Sequence, residues 1–358
     1  MAPGRLRALP GAAGLASLLA GAWAGLARMG WPLPHAGLAP LHGPLMLCGF
    51  TGTVIALERA VGLGEGWAYA APALAAAGAV ALLAHAVAPA TGLFVGAALL
   101  LVAAQVVIAR RSPGLHTALT GLGAACWLAG NAQWARGAPL FAVVPWWIGF
   151  PLFTIAGERV ELSRVLRPPR AARLLLAGLV VAWIAGLVVD EWTFVRGQVA
   201  TGLATAGIAV WLFRHDLSRR VMHLPGLRRF MGMNILCSYG WLGTSGILLT
   251  LQGGPGMNEG YDAVLHMVFM GFMLPMVFAH APVILPAVTG RLVPFRRAFY
   301  LHAGLMQAAL LVRVAGDALG HPGVRRAGGL AAAVALVLFL ANNILALTSA
   351  EARIKEVP

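Results

Sequence analysis

From residue 9 onward the chain repeats one theme: an apolar run of about 20 residues, then a short break rich in Gly, Pro and Arg. A run of that length suits a helix crossing the hydrocarbon core of a bilayer, where each backbone N–H and C=O must find its partner within the segment. About twelve such runs can be cut, near residues 9–29, 41–63, 67–88, 90–109, 115–136, 139–161, 171–190, 194–213, 229–251, 260–288, 298–319 and 325–348. The expectation is an all-α polytopic membrane protein. Only 11% of residues are charged and 59% are hydrophobic, whereas a soluble domain carries about 25% charged residues. The principal partner is therefore the lipid bilayer.

A net charge of +14 would ordinarily invite nucleic acid. Its placement argues against that. With the N-terminus inside, twenty of the 26 basic residues fall in cytoplasmic segments, leaving Arg28, Arg136, Arg196, Arg313, Arg325 and Arg326 on the other side. This is the positive-inside pattern. It implies an integral protein of a bacterial inner membrane with both termini cytoplasmic and no nucleic-acid partner. The first run lacks a convincing cleavage site and opens a regular series of spans, so a cleavable signal peptide is not expected. Cys48, Cys126 and Cys237 each sit within an apolar run. They suit packing as small hydrophobes rather than a disulfide framework or a metal motif.

Two stretches coincide at a shift of 100 residues: "GFTGTVIALER" from Gly49 to Arg59, and "GFPLFTIAGER" from Gly149 to Arg159. A third, "GFMLPMVFAH" from Gly271, shares the Gly-Phe start and places His280 where the others place Glu58 and Glu158. These lie in spans two, six and ten, which suggests three pseudo-repeated units of four helices, approximately 1–109, 110–213 and 214–348. Such repeats set equivalent helices around an axis, with functional groups at their interfaces. Glu58, Glu158 and His280 then share a level near the cytoplasmic end. Two readings stand. The carboxylates pair with Arg59 and Arg159, or the three residues form a ligand set suited to iron, manganese or zinc, or to proton loading. The identity of such a second metal stays open.

An imidazole in an apolar span costs free energy unless it is paired or coordinated. His42 and His266 open spans two and ten, both running outside to inside, so they lie at similar depth near the outer face. Two histidines at matched depth on neighbouring helices can bind a haem iron from both sides. His280 is 14 residues beyond His266, about 21 Å along a helix, and belongs to the inner half. Arg325 and Arg326 are two of the few outer cations and favour an anionic partner. Arg313 and Asp317 are spaced for an i, i+4 ion pair, with Arg313 a further candidate for the anion. His302 reads as an interfacial histidine. Met267, Met270, Met273 and Met276 form an i+3 series whose thioethers suit Cu(I), though Met in a bundle is usually packing material.

"LHGPLMLCGF" from Leu41 is similar to the second helix of subunit I of the haem–copper oxidases, where an H-G-x-x-M segment supplies a low-spin haem ligand. "DAVLHMVFMGFMLPMVFAHAPVILPAVTGR" from Asp262 resembles the tenth helix of that family, in which a histidine pair precedes a Pro and a Thr-Gly. The resemblance implies twelve helices in a three-by-four arrangement, an extracytoplasmic haem b ligated by His42 and His266, and propionates held by Arg325 and Arg326 in the segment "HPGVRR". It covers spans two, six, ten and eleven. The membrane haem proteins of the NnrS family, linked to nitric oxide, share its size and helix number at the level of architecture.

The departures from that family are informative. The position of the high-spin haem ligand is Val264. The copper-site segment maps onto "FPLFT", with Phe150 and Thr154 replacing the histidine and tyrosine, and the seventh span has no histidine. Oxygen reduction is not expected from such a chain. The expectation is a bis-histidine haem protein for electron transfer or nitric-oxide and redox response, with a quinol or a cytochrome as candidate electron donor. The alternative is a multi-spanning transporter or channel without haem, since repeated bundles also describe carriers. A gas reductase would need an open iron position that the sequence does not offer.

Overall fold

A computed structural model of the chain describes residues 3–190, 194–252 and 259–355. Among these residues the fold is wholly helical, with no strand. A helix occupies each apolar run. In order they are α1 (Pro3–Arg28), α2 (Ala36–Leu63), α3 (Gly66–Leu83), α4 (Val87–Arg111), α5 (Leu115–Ala135) and α6 (Leu140–Leu162). The second half continues with α7 (Arg170–Asp190), α8 (Phe194–His215), α9 (Leu227–Gln252), α10 (259–289), α11 (Phe299–Ala318) and α12 (Pro322–Lys355). Nine of these helices, among the described residues, are long and apolar enough to cross a membrane. The other three are α5, α8 and α9. They have the length, at 21, 22 and 26 residues, but their apolar character is diluted by buried polar groups such as Asn131, Thr205 and Asn234.

The chain divides into two compact units, residues 1–158 with 284–290, and 159–283 with 291–358. These boundaries differ from those the three-fold repeat suggests. The reason lies in packing: α5 rests against α4, and its glycines meet α6, where a Cβ on Gly123 would come within 2.8 Å of the Phe150 carbonyl. The packing of α5 on α4 joins the start of the second expected repeat to the first.

In the first unit α1 packs along α2 and α3, and α3 and α4 form the next antiparallel pair. Its core is aromatic: Trp127 stacks on Phe150 with centroids 4.9 Å apart, and Trp134 meets Trp147 edge-on at 5.4 Å. Asn131, wholly buried, is satisfied there. Its Oδ1 accepts from Trp147 Nε1 at 3.0 Å and from Cys48 Sγ at 3.2 Å, while its Nδ2 donates to the Phe94 carbonyl at 3.3 Å. A buried amide that has partners on three other helices fixes their register, because losing any one strands a desolvated polar atom.

In the second unit α8 packs between α7 and α9, and α11 pairs with α12. His302 is 1% exposed, not interfacial as its position in the sequence suggests. Phe278, Phe299 and Phe339 surround its ring at centroid distances of 5.0, 5.7 and 5.4 Å. Asn342 Nδ2 donates to both the Ala298 carbonyl (3.1 Å) and His302 Nδ1 (3.0 Å). The carbonyl fixes the amide's orientation, so Nδ1 of His302 must accept. The imidazole is neutral, and its role here is packing.

Candidate functional site

The two expected haem ligands, His42 in the first unit and His266 in the second, are held in the same chemical state, each unit taken by itself. In the first unit a 3-10 turn, Ala36–Leu41, carries Pro40 and delivers the chain into α2 at His42. His42 Nδ1 lies 2.7 Å from the Gly21 carbonyl on α1. A carbonyl only accepts, so Nδ1 carries the proton, and in the neutral ring the lone pair sits on Nε2. Gly25 makes this approach feasible. A Cβ there would stand 2.8 Å from His42 Nδ1 and 2.9 Å from Cε1. Gly25→Ala should therefore displace the ring and destabilise the protein by about 1–3 kcal/mol, the usual cost of overpacking. The thermal midpoint of the purified variant measures this.

In the second unit His266 ends the first turns of α10. Its Nδ1 lies 2.7 Å from the Asp262 backbone carbonyl and 3.3 Å from the Asp262 carboxylate. The tautomer is again Nδ1–H. Asp262 Oδ2 in turn accepts from Arg313 Nη2 at 2.6 Å. A guanidinium, a carboxylate and an imidazole thus form one chain across α11 and α10. The same guanidinium lies one turn before Asp317 on α11, and Asp317 also faces Arg325 Nη1 on α12, at 3.8 Å. Its side chain is 1% exposed, and neither carboxylate oxygen has a hydrogen-bond partner. Arg326, the other expected anion holder, is half-buried on α12.

The two histidines share a second feature that the sequence did not announce. Beyond each, three residues after His42 and directly after His266, the helix widens into π geometry, over Leu45–Gly52 in α2 and Met267–Met273 in α10. π segments are rare and recur at functional sites. Gly49-Phe50 and Gly271-Phe272, two of the three dipeptides that define the internal repeat, fall inside them, whereas Gly149-Phe150 lies in regular α-helix. Met267 and Met273 are buried there, Met270 is half-buried, and Met276 is buried in the following α turn.

The residues expected at the opposite end are also found within their own units. In the first, Arg59 Nη2 is ion-paired with Glu158 and lies 3.7 Å from Glu58 Oε1. In the second, His280 Nδ1 donates to the Met276 carbonyl at 2.8 Å, and its Nε2 faces Arg159 Nη1 at 3.3 Å, which must donate. Arg159 is itself the centre of a buried network. Its Nε and Nη2 reach the two oxygens of Asp216 at 2.7 and 2.8 Å, a fork-to-fork pair. Tyr239 Oη, and Ser218 through both its hydroxyl and its N–H, also donate to Asp216. Carboxylates held by a guanidinium, and an imidazole with both nitrogens in hydrogen bonds, must surrender those bonds before they can bind a cation. No group of three or more His, Cys, Asp or Glu among the described residues is arranged to hold a metal ion.

Sequence reasoning missed Asp262, Asp216 and Tyr239. Asp262 had a signal, its i, i+4 spacing to His266. Asp216 and Tyr239 had none, since they meet Arg159 only through the packing of α9 and the loop after α8.

The chain belongs to a family described as a domain of unknown function (DUF8744), whose profile matches residues 5–348. Curated proteins contain no match to it.

Proposed function

We propose that this member of the family is a haem b protein of the bacterial inner membrane, with His42 and His266 as axial ligands near the extracytoplasmic face. The observation that carries the reading is the shared state of the two imidazoles. Each is locked as the Nδ1–H tautomer by a backbone carbonyl, which leaves Nε2 as the coordinating nitrogen, and each precedes a π segment. Ligating histidines typically donate their other ring N–H to a carbonyl or carboxylate, which fixes the ring and raises its basicity. When bound, such a six-coordinate haem supplies one-electron transfer. The protein's own part is to hold the rings, keep them dry and set their basicity. Arg325, Arg326 and Arg313 would hold the propionates in this reading. Arg313 also neutralises Asp262, and Arg325 faces Asp317.

The function this supports is electron transfer, or a redox or nitric-oxide response, with a quinol or a cytochrome as donor. All twelve helices span the bilayer in this reading, with both termini cytoplasmic. The three-by-four repeat is retained as a sequence relationship among α2, α6 and α10. The decisive experiment is a dithionite-reduced minus oxidised spectrum of the purified protein. Absence of a low-spin haem signal after expression with haem supplied would end the proposal.

Asp262 is a positioning residue in this scheme. Its carboxylate, pinned by Arg313, places negative charge beside the His266 Nδ1–H and stabilises the more positive ferric state. Asp262→Asn keeps the backbone carbonyl bond and loses the charge. The midpoint potential should rise by about 59 mV for each tenfold change in the redox equilibrium, read by redox titration. An unchanged potential would assign Asp262 to Arg313 alone.

One observation favours a second reading. Asp262, Arg313 and Asp317 lie in spans, and ionisable groups at such positions mark substrate or ion pathways in transporters. A haem-free spectrum together with solute flux that Arg313→Gln abolishes would select it.

A further inference from the structure

The segment joining α6 to α7 has a basic surface that no acid answers. A 3-10 turn, Ser163–Leu166, is followed by Arg167 in the left-handed conformation (φ 48°), then by Pro168, Pro169 and the start of α7. Arg164, Arg167, Arg170 and Arg173 recur at every third position and all are exposed. Among the described residues none of the four guanidinium groups makes an ion pair. Even Glu161, exposed on the preceding turn, does not pair with them. The contrast with Arg59, Arg111 and Arg159 is clear, since each of those has a carboxylate partner.

The segment is also held in place. Leu217 N donates to Ser163 Oγ at 3.2 Å, and Trp211 Nε1 donates to the Ala172 carbonyl at 2.6 Å. The first contact draws the turn after α8 alongside, with exposed Arg219 and Arg220. Apolar side chains frame the arginines: Leu162, Val165, Leu174 and Leu175 are 51–73% exposed. Both flanking helices have membrane-spanning character, Leu140–Leu166 and Arg170–Val189, so a bilayer places this segment at headgroup level, with Leu and Val toward the acyl chains.

We propose that the Arg164–Arg173 segment of the α6–α7 connection is a binding site for the headgroup of an anionic phospholipid. The argument is charge complementarity on a rigid frame. Guanidinium forks match phosphate oxygens bidentately. Two prolines and two tertiary hydrogen bonds limit the entropy lost on binding, and the apolar rim suits a ligand that carries its own acyl chains. An arginine near an anionic leaflet contributes about fivefold in affinity. The site is independent of any haem.

The test uses the full chain in detergent, titrated with phosphatidylglycerol or with phosphatidylcholine, reading lipid retention by native mass spectrometry and the thermal midpoint. The wild type should retain phosphatidylglycerol at least tenfold better than phosphatidylcholine. Replacement of Arg164, Arg167, Arg170 and Arg173 by Gln should remove that preference, with the phosphatidylcholine midpoint unchanged. Should the quadruple variant fail to fold, the pair Arg167→Gln and Arg170→Gln should lose part of the preference. Equal retention of the two lipids by the wild type, or an undiminished preference in the folded variants, would overturn the proposal. So would protection by inorganic phosphate alone equal to that by the lipid.

Discussion

His42→Ala and His266→Ala should each abolish stable haem incorporation, leaving the purified protein without a low-spin spectrum, while His302→Ala retains it. The asymmetry follows from ring chemistry. His42 and His266 each commit Nδ1–H to a carbonyl at 2.7 Å and so present Nε2 for coordination. His302 instead accepts at Nδ1 from Asn342 and sits within a cage of phenylalanines. Its loss should lower stability by the cost of a cavity, without touching the spectrum. Full haem occupancy in both of the first two variants would sink the ligand assignment.

Arg159→Ala should be among the most destabilising single substitutions in the chain, at about 3–5 kcal/mol, because it leaves a buried carboxylate without its counter-charge. Asp216 is 3% exposed and Arg159 5%. Removing the guanidinium also strips a donor from His280 Nε2 and from Ser218 Oγ. Arg136→Ala, at an exposed position, should stay within about 0.5 kcal/mol of wild type. Thermal unfolding in detergent compares the two, and equal midpoints would show that the network contributes little.

The same network carries a pH signature. Burial alone would raise the Asp216 carboxyl, but the Arg159 fork and the Ser218 donors hold it below the ordinary carboxylate range. Its folded-state pKa is therefore depressed relative to the unfolded chain. The associated stability is complete above the unfolded value, about 3.9, and is lost as pH falls through the folded one. Between neutrality and pH 5 the Arg159 contribution should be flat.

How much of this was legible in the sequence depended on range. Apolar runs are a local signal, so every expected span has its helix. Only α5, α8 and α9 fall short in apolar character, because Asn131, Thr205 and Asn234 turn polar groups inward. The positions of His42 and His266 at the start of their helices were equally local. Their tautomers were not, since Gly21, on a different helix, fixes the first. The spacing of Arg313 and Asp317 was a signal within one helix, whereas Asp262 reaches Arg313 from α10. The glutamates were expected to pair with Arg59 and Arg159; Arg59 takes Glu158 and lies near Glu58, while Arg159 turns to Asp216. Sequence spacing proposes the nearest partner, but packing supplies a better one from elsewhere.

The widened stretches in α2 and α10 have a consequence for how each helix is divided. A π turn absorbs a residue that a regular α-helix would have used to advance about 100° around its axis. The part before Leu45 and the part after Gly52 are thus out of phase, as are those either side of Met267–Met273. Each helix behaves as two rods joined end to end, and each rod chooses its own neighbours. The histidine of the leading rod can face one way while Glu58, or His280, in the trailing rod faces another. Removing one residue within the joint, such as Leu47 or Val268, would let it close to regular α geometry with every trailing side chain still facing as before. A single-residue deletion could thus be taken up at the joint itself, with both ends of the helix left aimed as they are.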